Sequence, residues 1–136
     1  MPGSFIDTNV LVYLASREDA KAAQAESLLA TGDAVISVQV LNELANVARR
    51  KMRLAWAELD VFLATVRELL PVRPLTLAVH DTGLEIARSH RLAIYDAMIV
   101  ASALDAGCDV LYSEDMQHGQ CFAAQLRLVN PFLDTS

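Results

Sequence analysis

Four acidic side chains, Asp7, Glu43, Asp96 and Asp115, are the residues of this 136-residue chain whose types and placement could do chemistry. Carboxylates gathered in one place repel each other, and burial with like charge raises their pKa values. A hard dication removes that penalty and takes oxygen ligands. No histidine or cysteine set accompanies the acids, so Mg2+ or Mn2+ is expected in preference to zinc. Cys108 and Cys121 have no CxxC spacing and read as two reduced thiols. His80, His90 and His118 share no ligand spacing, and the phosphate-loop, dinucleotide, serine-hydrolase and HExxH signatures are missing.

Each acid also has a structural reading. Asp7 can cap a helix, and Asp115 can be a turn residue or cap. Glu43 can be a solvated helix position paired with Arg50. Asp96 is harder to dismiss, because a carboxylate is seldom set in a near-continuous apolar helix without a partner. It can nevertheless stabilise that helix's N-terminus.

The elements that would position these acids follow from periodicity. Ser4 to Asp7 reads as a strand, and Thr8 to Ser16 as a helix. Asp19 caps a second helix ending near Leu29, and Thr31-Gly32-Asp33 is a turn. Ala34 to Ser37 is a buried strand. Gln39 to Met52 is a helix with a core stripe of Leu41, Leu44, Ala45, Ala48 and Met52, and Glu43 on another side. Ala55 to Leu70 is a helix facing the core with Trp56, Leu59, Leu63, Val66 and Leu70. Pro71 and Pro74 bracket a short extended piece, and Thr76 caps a helix running to Ser89. Ile94 to Ala106 is apolar nearly all round, so it is buried, and Gly107 ends it. Asp109 to Ser113 is a strand, Gln120 to Ala124 a turn or short helix, and Leu126 to Val129 the last strand.

Alternating strands and helices predict a three-layer α/β/α fold with a mostly parallel sheet of about five strands. No linker or repeat divides the chain, so one domain over 1–136 is expected. Such sheets bind ligands beyond the carboxyl ends of their strands. Asp7 and Asp115 follow two strands, and Glu43 lies early in the helix after a third. Asp96 lies near the start of its own helix. Four distant segments can thus bring their acids to one edge.

Composition constrains the partners. Hydrophobic residues make up 54%, which excludes a disordered chain. No uncharged apolar run approaches the roughly 18 residues of a membrane span. The start, Met1-Pro2-Gly3-Ser4, lacks the basic residues and apolar stretch of a signal peptide, so a cytoplasmic protein is expected. The net charge of −6 and pI near 4.9 oppose nucleic-acid binding when taken alone. Bound dications would cancel part of that charge locally. The run Arg49, Arg50, Lys51 and Arg53 reads either as a solvated helix end or as a contact for RNA or a partner.

At this point the sequence resembles a known family. Phe5-Ile6-Asp7-Thr8-Asn9 is similar to the opening motif of PIN domains. Ile36 to Leu44, with Ser37 and Glu43, resembles the second motif. Tyr95 to Ala103 resembles the third, and Val110 to Met116 the fourth. The likeness runs from residue 4 to about residue 130. Size and the lack of appended domains resemble VapC-type toxins of toxin–antitoxin pairs. The resemblance implies a metal-dependent endoribonuclease, a homodimer, and a cognate antitoxin that covers the active site. It implies Asp7, Glu43, Asp96 and Asp115 as catalytic metal ligands, with Thr8 and Ser113 as polar supports and Asn9 behind them. Glu114 stands at the variable place of the fourth motif and is either an added ligand or turned away.

Three rival readings use the same residues. One is a PIN-like fold without catalysis, used for docking. Another is a phosphoryl-transfer domain with Asp7 as nucleophile, but that needs a late lysine, and the only lysines are Lys21 and Lys51. The third is DNA cleavage, known in longer PIN-like nucleases.

Overall fold

The computed structural model describes residues 3–133, so Met1 and Pro2, on which the reading of the N-terminus partly rests, lie outside the described residues. Strand β1 (Ser4–Ile6) is fully buried and sits inside a sheet of order β3-β2-β1-β4-β6-β5. Its neighbours are β2 (Ala34–Ser37) and β4 (Val110–Tyr112), both parallel to it. Beyond them lie β3 (Val72–Arg73) and β6 (Leu126–Val129), also parallel. Short β5 (Cys121–Phe122) runs antiparallel to β6. The sheet thus has six strands among the described residues, one more than the sequence predicts, and it is mostly parallel as expected.

The chain leaves β1 toward β2 and β3, then returns to β4 on the other side. That reversal opens a crevice beyond the carboxyl ends of β1 and β4, where such sheets place their ligands. Tying the two ends together, the Asp7 N–H donates to the Tyr112 carbonyl at 2.9 Å.

The helices are α1 (Thr8–Leu11), α2 (Asp19–Leu29), α3 (Val38–Arg50), α4 (Trp56–Leu69), α5 (Leu77–His90) and α6 (Ile94–Asp105). The core joins Phe5 and Ile6 of β1 to Leu44 of α3, Val66 of α4, Ile99 and Val100 of α6, and Leu128 of β6. Helix α6 is buried from Ala97 to Ala103, as its all-round apolar sequence requires. Gly83 of α5 makes room for it: a methyl group there would lie 2.5 Å from Met98 Sδ. Thr76 caps α5 by accepting from the Val79 N–H at 3.2 Å. Gly107, at φ +74°, takes the left-handed conformation just past the end of α6.

Several elements differ from expectation. The first helix becomes 3-10 after Leu11, over Val12–Ala15. Glu18, not Asp19, occupies the cap position of α2, and no side chain bonds there. In α3 the buried positions are Gln39, Val40, Leu44 and Ala48; Leu41 and Ala45 are half-buried, and Met52 lies beyond the helix end. Trp56 is 66% exposed instead of facing the core. The expected turn over Gln120 to Ala124 contains β5 and the turn of a hairpin.

Candidate active site

Asp7 follows β1 directly and is 4% exposed. As the N-cap of α1 it accepts from the Thr8 N–H on Oδ1 at 2.7 Å, so its capping role is real. Its other oxygen, Oδ2, accepts from Ser113 Oγ at 2.9 Å. Asn9 Nδ2 lies 3.4 Å from Oδ2 and 3.2 Å from Ser113 Oγ, while Asn9 Oδ1 accepts from the Glu114 N–H at 3.0 Å. One amide side chain thus fastens the end of β1 to the end of β4 and braces the Asp7–Ser113 pair.

Asp7, Glu43, Asp96 and Asp115 line one cavity of about 310 Å3 with Thr8, Asn9, Glu114 and Lys51. The convergence expected from strand order is therefore present. Burial pushes the Asp7 carboxyl up to about 7, against the Ser113 and Thr8 hydrogen bonds, and the charges of Glu43 and Asp96 add to the rise. Burial also raises Glu43; the Gln39 hydrogen bond opposes this and the Asp96 charge reinforces it. Asp96 is raised by burial and then by Asp115. The carboxylates sense one another across the cavity.

Glu43 does not pair with Arg50. It accepts from Gln39 Nε2 at 3.0 Å, one helical turn earlier. Glu114 reaches the cavity wall, but its carboxylate is taken: Tyr13 Oη donates at 2.6 Å and Lys21 Nζ at 2.8 Å. Burial pulls its pKa up, yet the bonds from Lys21 and Tyr13 outweigh that and hold it below the usual value. Lys21 also lies over the Tyr13 and Phe132 rings. In the basic run, Lys51 lines the acidic cavity. Arg49 stacks on Trp56 at 4.0 Å from the ring centroid and donates to the Leu54 carbonyl at 2.8 Å. Arg50 and Arg53 are exposed and do not line this cavity. His118 accepts from the Asn130 N–H on Nδ1 at 3.0 Å, a structural role at the β6 end. Both cysteines are free thiols, Cys108 buried and Cys121 exposed.

The donor set fits a hard dication. It is all oxygen, and Thr8 Oγ1 is buried beside Asp7 without a hydrogen-bond partner. Among the described residues, no group of three or more His, Cys, Asp or Glu side chains is closed tightly enough to hold an ion as it stands. Sequence reasoning missed Gln39, Tyr13 and Lys21. The four-residue spacing of Gln39 and Glu43 was a usable signal; Lys21 is 93 residues from Glu114 and gave none.

The PIN domain family model matches residues 4–120. The chain belongs to the PIN domain family. Among solved structures, this PIN domain is similar to VapC20 of Mycobacterium tuberculosis, described as a sarcin–ricin loop cleaving toxin. That match has 21% identity and TM-score 0.66, covering 80% of this chain and 87% of the other. It is also similar to a toxin–antitoxin complex from Klebsiella pneumoniae, with 17% identity, TM-score 0.71 and coverage of 96% and 98%. FitAcB of Neisseria gonorrhoeae gives 22% identity, TM-score 0.67 and coverage of 95% and 98%. Comparison with curated proteins gives no match. Among the described residues, no helix of this PIN domain is long and apolar enough to cross a membrane.

Proposed function

We propose that this PIN domain, spanning residues 1–136, is a VapC-type toxin: an endoribonuclease dependent on Mg2+ or Mn2+. The observation that carries the reading is the single cavity lined by Asp7, Glu43, Asp96 and Asp115, with three of the four carboxyls raised in pKa. Acids with raised pKa gathered in one cleft mark a candidate functional site. Asp7, Asp96 and Asp115 would hold the ion, with Glu43 beside them. When bound, the ion lowers the pKa of water and neutralises charge on the phosphate oxygens.

The chain's own residues supply the rest. Ser113, the Thr8 N–H and Asn9 fix the orientation of Asp7. Gln39 holds one oxygen of Glu43, leaving the other to orient the attacking water. Lys51, the cation on the cavity wall, attracts the phosphodiester. The attacking water loses a proton to the surrounding solvent as its oxygen bonds to phosphorus, the bond to the ribose 3′ oxygen breaks, and that oxygen takes up a proton. The products are a 5′-phosphate and a 3′-hydroxyl. Glu114, neutralised by Lys21, stays out of the ligand set. The toxin–antitoxin neighbours support a cognate antitoxin; a homodimer and a cytoplasmic setting belong to the same proposal.

The test is cleavage of total RNA with and without Mn2+ by wild type and Asp96→Asn. Wild type should cut only with the ion, and the variant should lose at least about a hundredfold in rate. Undiminished cutting by folded Asp96→Asn, or cutting in EDTA, sinks the proposal.

A further inference from the structure

Beside the acidic cavity, and sharing Glu43 and Val47 with it, lies a second cavity of about 470 Å3. Its remaining walls are Gln39, Asn42 and Asn46 of α3 and Tyr95 at the start of α6. The three amides stand at spacings of three and four, hence on one helix face. Tyr95 is 66% exposed, an aromatic surface left open to solvent.

The chemistry of these walls selects a ligand class. Glu43 is the one charged side chain there, so a phosphate or carboxylate would be repelled. Side-chain amides pair a donor with an acceptor, which matches the edge of a nucleobase. An open aromatic ring offers a stacking face to any base. Tyr95 directly precedes Asp96, so this face begins where the acidic cleft ends. We propose that the second cavity is a base-binding subsite. It takes an unpaired nucleobase next to the cut phosphodiester, stacked on Tyr95 and hydrogen-bonded by Asn42 and Asn46. A base within a duplex has both faces covered, so the substrate must present a single strand or loop. This inference rests on the ribonuclease reading and adds to it the residues that receive the base beside the cut.

The test uses a short 5′-fluorescein oligoribonucleotide and versions with one abasic residue at each position flanking the cut. In wild type, one abasic position should raise KM about ten- to a hundredfold with little change in kcat. In Tyr95→Ala the intact oligonucleotide should already show that rise, and the abasic residue should add nothing. Tyr95→Phe should behave as wild type, and Asn46→Ala should show a smaller rise at the same position. An abasic penalty of wild-type size in folded Tyr95→Ala overturns the subsite. So does a Tyr95→Ala variant whose only change is in oligomeric state by sedimentation, since the face would then cover a second copy. If wild type cuts no RNA, the nuclease reading falls by itself. The subsite is then judged by fluorescence anisotropy with the same oligonucleotide. Binding weakened by Tyr95→Ala but not by Tyr95→Phe sustains it, and equal binding by all three overturns it.

Discussion

Asp7 places an ionisable group where solvation is poorest, and this gives the protein a defined pH dependence. Its carboxyl lies near 3.8 when exposed and near 7 in the fold, with burial the largest cause. Below the lower value both states carry the proton, and Asp7 contributes nothing to the pH dependence. Between the two, the unfolded chain releases its proton and the folded chain keeps it, so stability falls as pH rises. Above about 7 the full cost, on the order of 4 kcal/mol, is present. Asp7→Asn removes this cost but also weakens the bonds with Ser113 and Thr8. Without metal, the variant should therefore be more stable than wild type at pH 8 by about 2 kcal/mol, the order should reverse between about pH 5 and 6, and near pH 4 the variant should be less stable by about 1–2 kcal/mol. Urea denaturation in EDTA across that range measures it. Parallel curves for the two proteins would show that Asp7 is not the titrating group.

Ser113 acts on the same carboxyl from the other strand. Its hydroxyl donates to Asp7 Oδ2 and favours the ionised form. Ser113→Ala should raise the Asp7 pKa further, shift the acid limb of the cleavage profile upward, and weaken Mn2+ binding about tenfold or more. Calorimetric titration with Mn2+ and a pH–rate profile check the two effects separately. A loss of rate with neither shift would make Ser113 a packing residue only.

At the scale of elements, what could be read from the sequence followed periodicity and strand order. Four short apolar runs and the helices between them sufficed to put Asp7 and Asp115 on one sheet edge. Glu43 joined them because α3 starts directly after β2. Apart from the Gln39–Glu43 spacing, what escaped had no local signal. Trp56 looks like a core residue by spacing, but it lies exposed with the Arg49 guanidinium over its ring, a cation–aromatic pair at the surface. The Glu114–Lys21 bond joins residues far apart in sequence. The β5–β6 hairpin was hidden because Ala123 and Ala124 occupy its turn at φ +54° and +53°, with the Gln125 N–H donating to the Phe122 carbonyl at 3.0 Å. Two left-handed residues in succession usually announce themselves as Asn-Gly.

That substitution of Ala for the usual turn residues leaves strain in the hairpin. An L-residue with a Cβ in the left-handed region costs about 1 kcal/mol or slightly more. Ala123→Asn with Ala124→Gly should therefore stabilise the chain by about 1–2 kcal/mol. The hairpin lies at the sheet edge farthest from β3, and neither residue lines the acidic cavity. Cleavage rate at fixed Mn2+ should accordingly be unchanged. A fall in the urea midpoint would contradict the turn assignment.

For the whole molecule, the net charge of −6 and the proposed substrate are in conflict until the acidic cavity is neutralised. Protons and dications compete for the same carboxyls, three of which are raised in pKa. A bound ion favours the folded state only to the extent that those protons have left. The stabilisation by Mn2+ should therefore grow with pH. At an ion concentration about 100 times the dissociation constant at pH 8, the gain is about 2.7 kcal/mol, or a rise of roughly 6–15 °C in Tm. At pH 5 the same Mn2+ concentration should give a much smaller rise, because Asp7 keeps its proton there. Asp96→Asn should reduce the rise at pH 8, which ties the effect to the cavity and not to surface carboxylates. Thermal melts of both proteins at pH 5 and 8, with and without Mn2+, decide it. A Tm gain that is independent of pH, or retained in full by Asp96→Asn, would mean the ion binds elsewhere and the acidic cavity is not its seat.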